Sequence, residues 1–219
     1  MIDDRVSVNG DGASTSSSLL AGVKARASGA WGRFATLYRP LVLHWCRQAG
    51  LQVADAEDVA QEVLTAAAGA IDGFRHEQPG DTLRGWLRVI ARNKILDHAR
   101  RAARQAAAVG GSGAQRELLA VPAPPAESDE SADAAEEAIV LRQAFDLVLA
   151  GFKDHTRQAF WRVVVDGQRP EDVAAELDIQ VHSVYLAKSR VLRRLQDEFG
   201  DLVSRNWGAD AGPGPDGTG

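Results

Sequence analysis

The chain has 219 residues, 45% apolar and 25% charged, with a formal net charge of −5, the composition of a globular protein with one large domain or two small ones. A single cysteine, Cys46, excludes a disulfide framework and a multi-cysteine zinc site, and points to a reducing compartment. No apolar run reaches the ~18 residues that cross a bilayer, and MIDDRVSVNGDGASTSSS carries acids where a secretion signal carries cations, so a cytoplasmic location without membrane association is expected.

Charge is unevenly distributed. Residues 28–105 hold 11 Lys/Arg against 8 Asp/Glu, residues 106–141 hold 1 against 7, and residues 142–207 hold 10 of each. In chain order, residues 1–27 are Ser/Gly-rich and are expected to form a disordered tail. FATLYRPLVLHWCRQAG predicts a helix around Leu37, Leu41 and Trp45, closed by Gly50, with Pro40 fitting only near a start or a kink. DAEDVAQEVLTAAAGAI predicts an amphipathic helix. Val59, Ala60, Val63, Ala67 and Ile71 lie on one side, Asp58, Gln61, Glu62 and Thr65 on the other, and Asp55 is the expected N-cap.

After the turn-rich loop GFRHEQPGDT, with Asp81 or Thr82 as cap, comes LRGWLRVIARNKILDHARR. There Leu83, Trp86, Leu87 and Ile90 share an apolar arc, and Arg84, Arg88 and Arg92 form a neighbouring row one turn apart. With Lys94, Arg100, Arg101 and Arg104 the window is dense enough in cations to attract a polyanion through counterion release. From charge alone, a solvated face with a pair such as Asp97 and Arg101 explains it as well.

Residues 106–138, mixing Gly, Ala, Pro, Ser and acids, have the composition of a flexible acidic linker. Beyond it, LRQAFDLVLAGFKDHTRQAFWRVVVDG predicts two packing helices. GQRPEDVAAELDIQVHSVYLAKSRVLRRLQDEF then resembles a helix-turn-helix, with Pro170 at a first helical position and Asp178 in a turn that needs a left-handed residue. On its second helix Val181, Val184, Val191, Leu192 and Leu195 are expected inside. His182, Ser183, Tyr185, Leu186, Ser189, Arg190 and Arg193 are expected as the residues offered to the major groove. Residues 208–219 are Gly/Pro-rich and expected to be disordered.

The words DAEDVAQEV and LRGWLRVIARNKILDHARR, in this order and spacing, resemble region 2 of the σ70-type sigma factors of bacterial RNA polymerase, and residues 141–199 resemble their region 4. With a linker where region 3 would fold, the resemblance is to the extracytoplasmic-function (ECF) group. The helical periodicity, with no alternating strand pattern of useful length, predicts an all-α fold, and the resemblance implies two small helical domains joined by a flexible linker. The tail (1–27) precedes a region 2 domain (28–105), the acidic linker (106–138), a region 4 helix-turn-helix domain (139–207) and a second tail (208–219).

It further implies that Asp58, Gln61 and Glu62 dock on the polymerase, whose β′ and β subunits are the expected partners, and that promoter DNA is bound. At the −10 region the implied contacts are Arg84, Arg88, Arg92, Asn93, Arg100 and Arg101, with the loop FRHEQPGDT as a pocket for an unstacked base. At the −35 region they are the outer residues of the helix-turn-helix. An anti-sigma factor is a further partner the resemblance admits. Where the family usually has Lys-Ser-Arg on the recognition helix, this chain has Tyr185, Leu186 and Ala187. No Walker loop, HExxH or GxGxxG is present, so neither an enzyme nor a cofactor is expected. A stand-alone helix-turn-helix regulator is the alternative.

Overall fold

The computed structural model of the protein describes residues 18–75, 82–108 and 130–207. Among these it is all-α, without a strand. The elements are α1 (Ser18–Lys24), α2 (Ala30–Gln48), α3 (Val53–Ala70), a 3₁₀ turn (Ile71–Gly73), α4 (Leu83–Ala108), α5 (Glu130–Leu149), α6 (Asp154–Val164), α7 (Pro170–Glu176) and α8 (Val181–Trp207).

Helices α2, α3 and α4 form the first packing unit. Leu87, Ala91, Ile95, Ala99 and Ala103 recur every fourth residue and are buried, which turns one narrow stripe of α4 onto α3. On α3 the buried residues are Ala56, Val59, Ala60, Val63, Leu64 and Ala67, and these small side chains let the helices approach closely. Gln52 rather than Asp55 precedes α3, and Asp55 sits inside the first turn, where a carboxylate complements the helix dipole. Thr82 is the cap of α4, its Oγ1 accepting the Gly85 N–H at 2.9 Å.

Two expectations about α2 resolve differently. Gly50 does end it, in the left-handed region at φ 83°, with Gly50 N–H on the Arg47 carbonyl and Leu51 N–H on the Cys46 carbonyl, the paired bonds of a Schellman close. Pro40, however, lies inside the helix. The missing backbone donor and ring clash cost about 3 kcal/mol, offset by Leu37, Leu41, Val42 and Trp45, all buried around it.

The helix-turn-helix is built from α7 and α8, with α6 behind it. Pro170 opens α7. Asp178 takes φ 52°, with Asp178 N–H on the Ala175 carbonyl and Ile179 N–H on the Ala174 carbonyl. It therefore closes α7 by the geometry that Gly50 uses for α2. Val184, Ala187, Val191 and Leu195 form the buried stripe of α8, while Val181 and Leu192 are half-buried and Lys188 is exposed.

The ends of the modules depart from the sequence expectation. Residues 18–24, placed in the disordered tail, are helical, and Leu19, Leu20 and Val23 are buried where α1 packs on α2 and α8. Residues 130–138, placed in the linker, are the first turns of α5, which packs on α2 and α8. One apolar cluster consequently runs from Leu19 through α2, α3 and α4 to Val191, Leu195 and Phe199 of α8. The Arg33–Glu198 ion pair, with Arg194 on the same carboxylate group, ties α2 to α8. Residues 1–17, 109–129 and 208–219, expected as tails and linker, lie outside the described residues.

An L-residue held left-handed at Asp178 carries backbone strain that glycine does not. Asp178→Gly is expected to raise stability by about 0.5–1 kcal/mol and Asp178→Ala to lower it by about 1 kcal/mol, both read from thermal unfolding.

Candidate nucleic-acid interface

The solvent side of α3 presents Asp58 and Gln61 exposed, with Glu62 half-buried beside them. Glu62 is engaged across to α4, accepting from the Arg101 guanidinium at 2.9 Å and lying 4.0 Å from Lys94 Nζ. The expected anionic patch and the expected cationic helix are thus neighbours joined by partly exposed ion pairs, each worth about 1 kcal/mol or less.

Along α4 the six residues expected to meet DNA fall into three environments. Arg92 and Asn93 are exposed. Arg100 and Arg101 are exposed and carry ion pairs, Arg100 to Asp97 at 3.1 Å and Arg101 to Glu62. Arg84 is half-buried and Arg88 buried. The last two therefore do not form one open row with Arg92, because the first turns of α5 lie over them.

There Asp133 accepts from Arg84 Nη2 at 2.9 Å and lies 3.5 Å from Arg88 Nη2. Glu136, only 3% exposed, is paired with Arg88, lies 3.8 Å from Arg84 Nε and accepts the Trp45 indole N–H at 2.7 Å. The Arg88 guanidinium also stacks on the Trp45 ring, 5.5 Å from its centroid. Two guanidiniums and two carboxylates make a neutral set.

Asp133 and Glu136 were missed in the sequence because they lie in an acid-rich run of linker composition. The signal was there in a different form. Glu136, Val140, Ala144 and Val148, spaced by four, are buried with Phe145 and Leu149 on one side of α5, an amphipathic pattern with an acid at its head.

The approach to α4 is braced from the other side. Phe74 packs on Trp86 with ring centroids 5.5 Å apart. Lys24 of α1 donates to the Phe74 carbonyl at 2.8 Å and sits over its ring. Most of the expected base pocket, residues 76–81, lies outside the described residues. On α8, His182, Ser183, Tyr185, Leu186, Ser189, Arg190 and Arg193 are all exposed on one outer face, and large apolar groups, Tyr185 and Leu186, are among them.

Residues 34–105, the span that carries α2 to α4 and both charged faces, match the model of Sigma-70 region 2. Over these residues the chain is similar to region 2 of the σ70-type sigma factors. Among solved structures, the chain is similar to one described as the structure of CnrH in complex with the cytosolic domain of CnrY. That similarity has 19% identity and a TM-score of 0.32, covering 86% of this chain and 96% of that one. No curated protein matches. Among the described residues no helix is long and apolar enough to cross a membrane.

Cys46 lies within the segment that matches region 2, fully buried. Burial pushes its thiol up to about 11, with the negative charge of Glu57 adding to the effect. Because the folded state then holds a proton that the unfolded chain releases earlier, the thiol's contribution to stability is present below the ordinary thiol range and lost as pH rises toward 11. At pH 8 its alkylation by iodoacetamide is expected to be at least about 100-fold slower in the folded protein than in denaturant, since two pH units separate the thiolate populations. Comparable rates in the two states would contradict that burial.

Proposed function

We propose that the chain is an ECF-type sigma factor that binds core RNA polymerase and directs promoter recognition and transcription initiation. The observation that carries this is the region 2 match over residues 34–105, on a domain where an anionic helix face and a cationic helix lie side by side. In this reading Asp58, Gln61 and Glu62 meet the polymerase. A face of two carboxylates and an amide suits a basic partner through charge-assisted hydrogen bonds. Arg92, Asn93, Arg100 and Arg101, with Arg84 and Arg88 once exposed, hold the −10 strand. His182, Ser183, Tyr185, Leu186, Ser189, Arg190 and Arg193 meet the −35 duplex in the major groove.

Tyr185 and Leu186 change what that last contact can read. An outer face that offers an aromatic ring and an aliphatic side chain favours thymine methyls over the guanine edges a Lys or Arg would take. An anti-sigma factor that covers the α3 face or the outer face of α8 is compatible with both surfaces.

The test is run-off transcription on genomic fragments with purified core polymerase, alongside direct measurement of core binding. The parent chain is expected to bind core and to start transcription at discrete sites. Asp58→Lys/Gln61→Lys/Glu62→Lys is expected to weaken core binding by about 30-fold or more, while lowering thermal stability by no more than about 2 kcal/mol, since both ion pairs of Glu62 are lost. Undiminished assembly of that variant would overturn the assignment. Duplex binding by the chain alone, without initiation on any fragment, would favour the stand-alone regulator.

A further inference from the structure

The σ70 reading gives Arg84 and Arg88 to DNA, yet both guanidiniums are already occupied by carboxylates from a helix outside the region 2 span. We propose that Asp133 and Glu136 form an intramolecular latch on α4, so that a nucleic-acid strand gains Arg84 and Arg88 only when α5 leaves. The inference rests on the reading of α4 as a strand-binding helix and deepens it into regulation of that helix.

Three observations support it. The first is chemical equivalence. A guanidinium presents planar pairs of donors that fit a carboxylate and a phosphate alike, and Asp133 and Glu136 take those donors on both arginines. Acid and phosphate therefore compete for one set of N–H groups. The second is position. The masking is confined to the start of α4, whereas Arg92, Asn93 and Arg100 stay exposed farther along. A strand can meet the rest of the helix in the closed state and miss two of its cations.

The third is the make-up of the contact. The buried face of α5 carries Glu136 at its head and Val140, Ala144, Phe145, Val148 and Leu149 farther along. The large apolar groups lie beyond the first turns, which leaves the charge set a large share in holding the start of α5 in place. Glu136 is fully satisfied where it lies, by Arg88, Arg84 and the Trp45 indole. When α5 leaves, the acids return to water and the arginines pass to phosphate, so no charge is left buried and unpaired. The exchange is reversible for that reason.

If only the open fraction binds, the apparent affinity of the closed protein is reduced by that fraction, and breaking the latch restores it. The full chain carrying Asp133→Asn/Glu136→Gln is compared with the parent, using a fluorescein-labelled single-stranded DNA 20-mer of mixed sequence in ~0.1 M salt. Anisotropy reads binding, and small-angle scattering reads the radius of gyration. The variant is expected to bind at least about tenfold more tightly and to be larger in solution. Asp146→Asn/Asp166→Asn, which removes the same charge at exposed sites, is expected to change binding less than about threefold. Adding Arg84→Ala/Arg88→Ala to the latch variant is expected to abolish the gain.

Circular dichroism verifies helicity. Should the double variant fail to fold, Asp133→Asn alone, which leaves Glu136 in place, is expected to give a smaller gain of the same sign, and no gain overturns the proposal. A variant as small and as weakly binding as the parent overturns the latch and leaves the σ70 reading intact. Expansion without a gain in binding overturns the masking and, with it, the assignment of Arg84 and Arg88 to DNA. A gain that survives Arg84→Ala/Arg88→Ala, or is matched by the Asp146/Asp166 control, also overturns it.

Discussion

One buried carboxylate constrains how the two modules meet. Moving an ionised side chain out of water costs several kcal/mol, recovered only when its lone pairs are met by well-placed donors. Glu136 meets that condition with the Arg88 guanidinium and the Trp45 indole N–H, supplemented by Arg84. The donors come from α2 and α4, and the acceptor from α5. A polar contact of this kind tolerates little sliding, so it sets the register of α5 against α2 and α4 more tightly than apolar packing alone could.

With α5 fixed, the remaining contacts between modules follow. Helix α8 turns Val191, Leu195 and Phe199 into the same apolar cluster that surrounds Phe34, Leu41 and Trp45, and Arg33 of α2 reaches Glu198 beyond it. Helix α1 fills the remaining side with Leu19, Leu20 and Val23. Its Lys24 secures the Phe74 carbonyl and the ring that packs on Trp86. The outer face of α8 stays open throughout, because the stripe that packs and the face that is exposed are different sides of one helix.

Much of this was legible in the sequence where local chemistry decides the structure. The all-α class, the stripe of α3, the Thr82 cap, the Gly50 stop and the left-handed Asp178 follow from periodicity and from backbone rules that act over a few residues. Illegible were the elements whose order comes from their neighbours. Residues 18–24 are too few to hold a helix alone, and exist as one because three apolar side chains dock. Residues 130–138 have Ala and Glu, good helix formers, but too few large apolar groups to look like anything other than a spacer. The partners Arg84, Arg88 and Trp45, distant in sequence, account for the place of Asp133 and Glu136. Burial of Arg88 was invisible for the same reason, since a row of arginines one turn apart looks solvated until the covering acids are placed. The roles of individual residues toward polymerase and promoter rest on the σ70 resemblance rather than on composition.

The two sets of ion pairs on this domain differ in how readily they can be exchanged, and that difference orders the events the proposed function requires. Glu62 shares its carboxylate with Arg101 and Lys94 near the surface, where the pair is screened and its loss costs about 1 kcal/mol or less. A basic partner approaching Asp58 and Gln61 can take Glu62 over at little cost, and in doing so returns Arg101 to solvent on the cationic side. The Glu136 set resists such piecemeal exchange. Removing one partner strands the others in a buried site, so α5 must leave as a unit. Engagement of the α3 face is therefore the easy step and release of Arg84 and Arg88 the demanding one. A partner that drives both must contribute binding energy beyond the α3 face itself, by contacts that hold α5 or α8 away from α2.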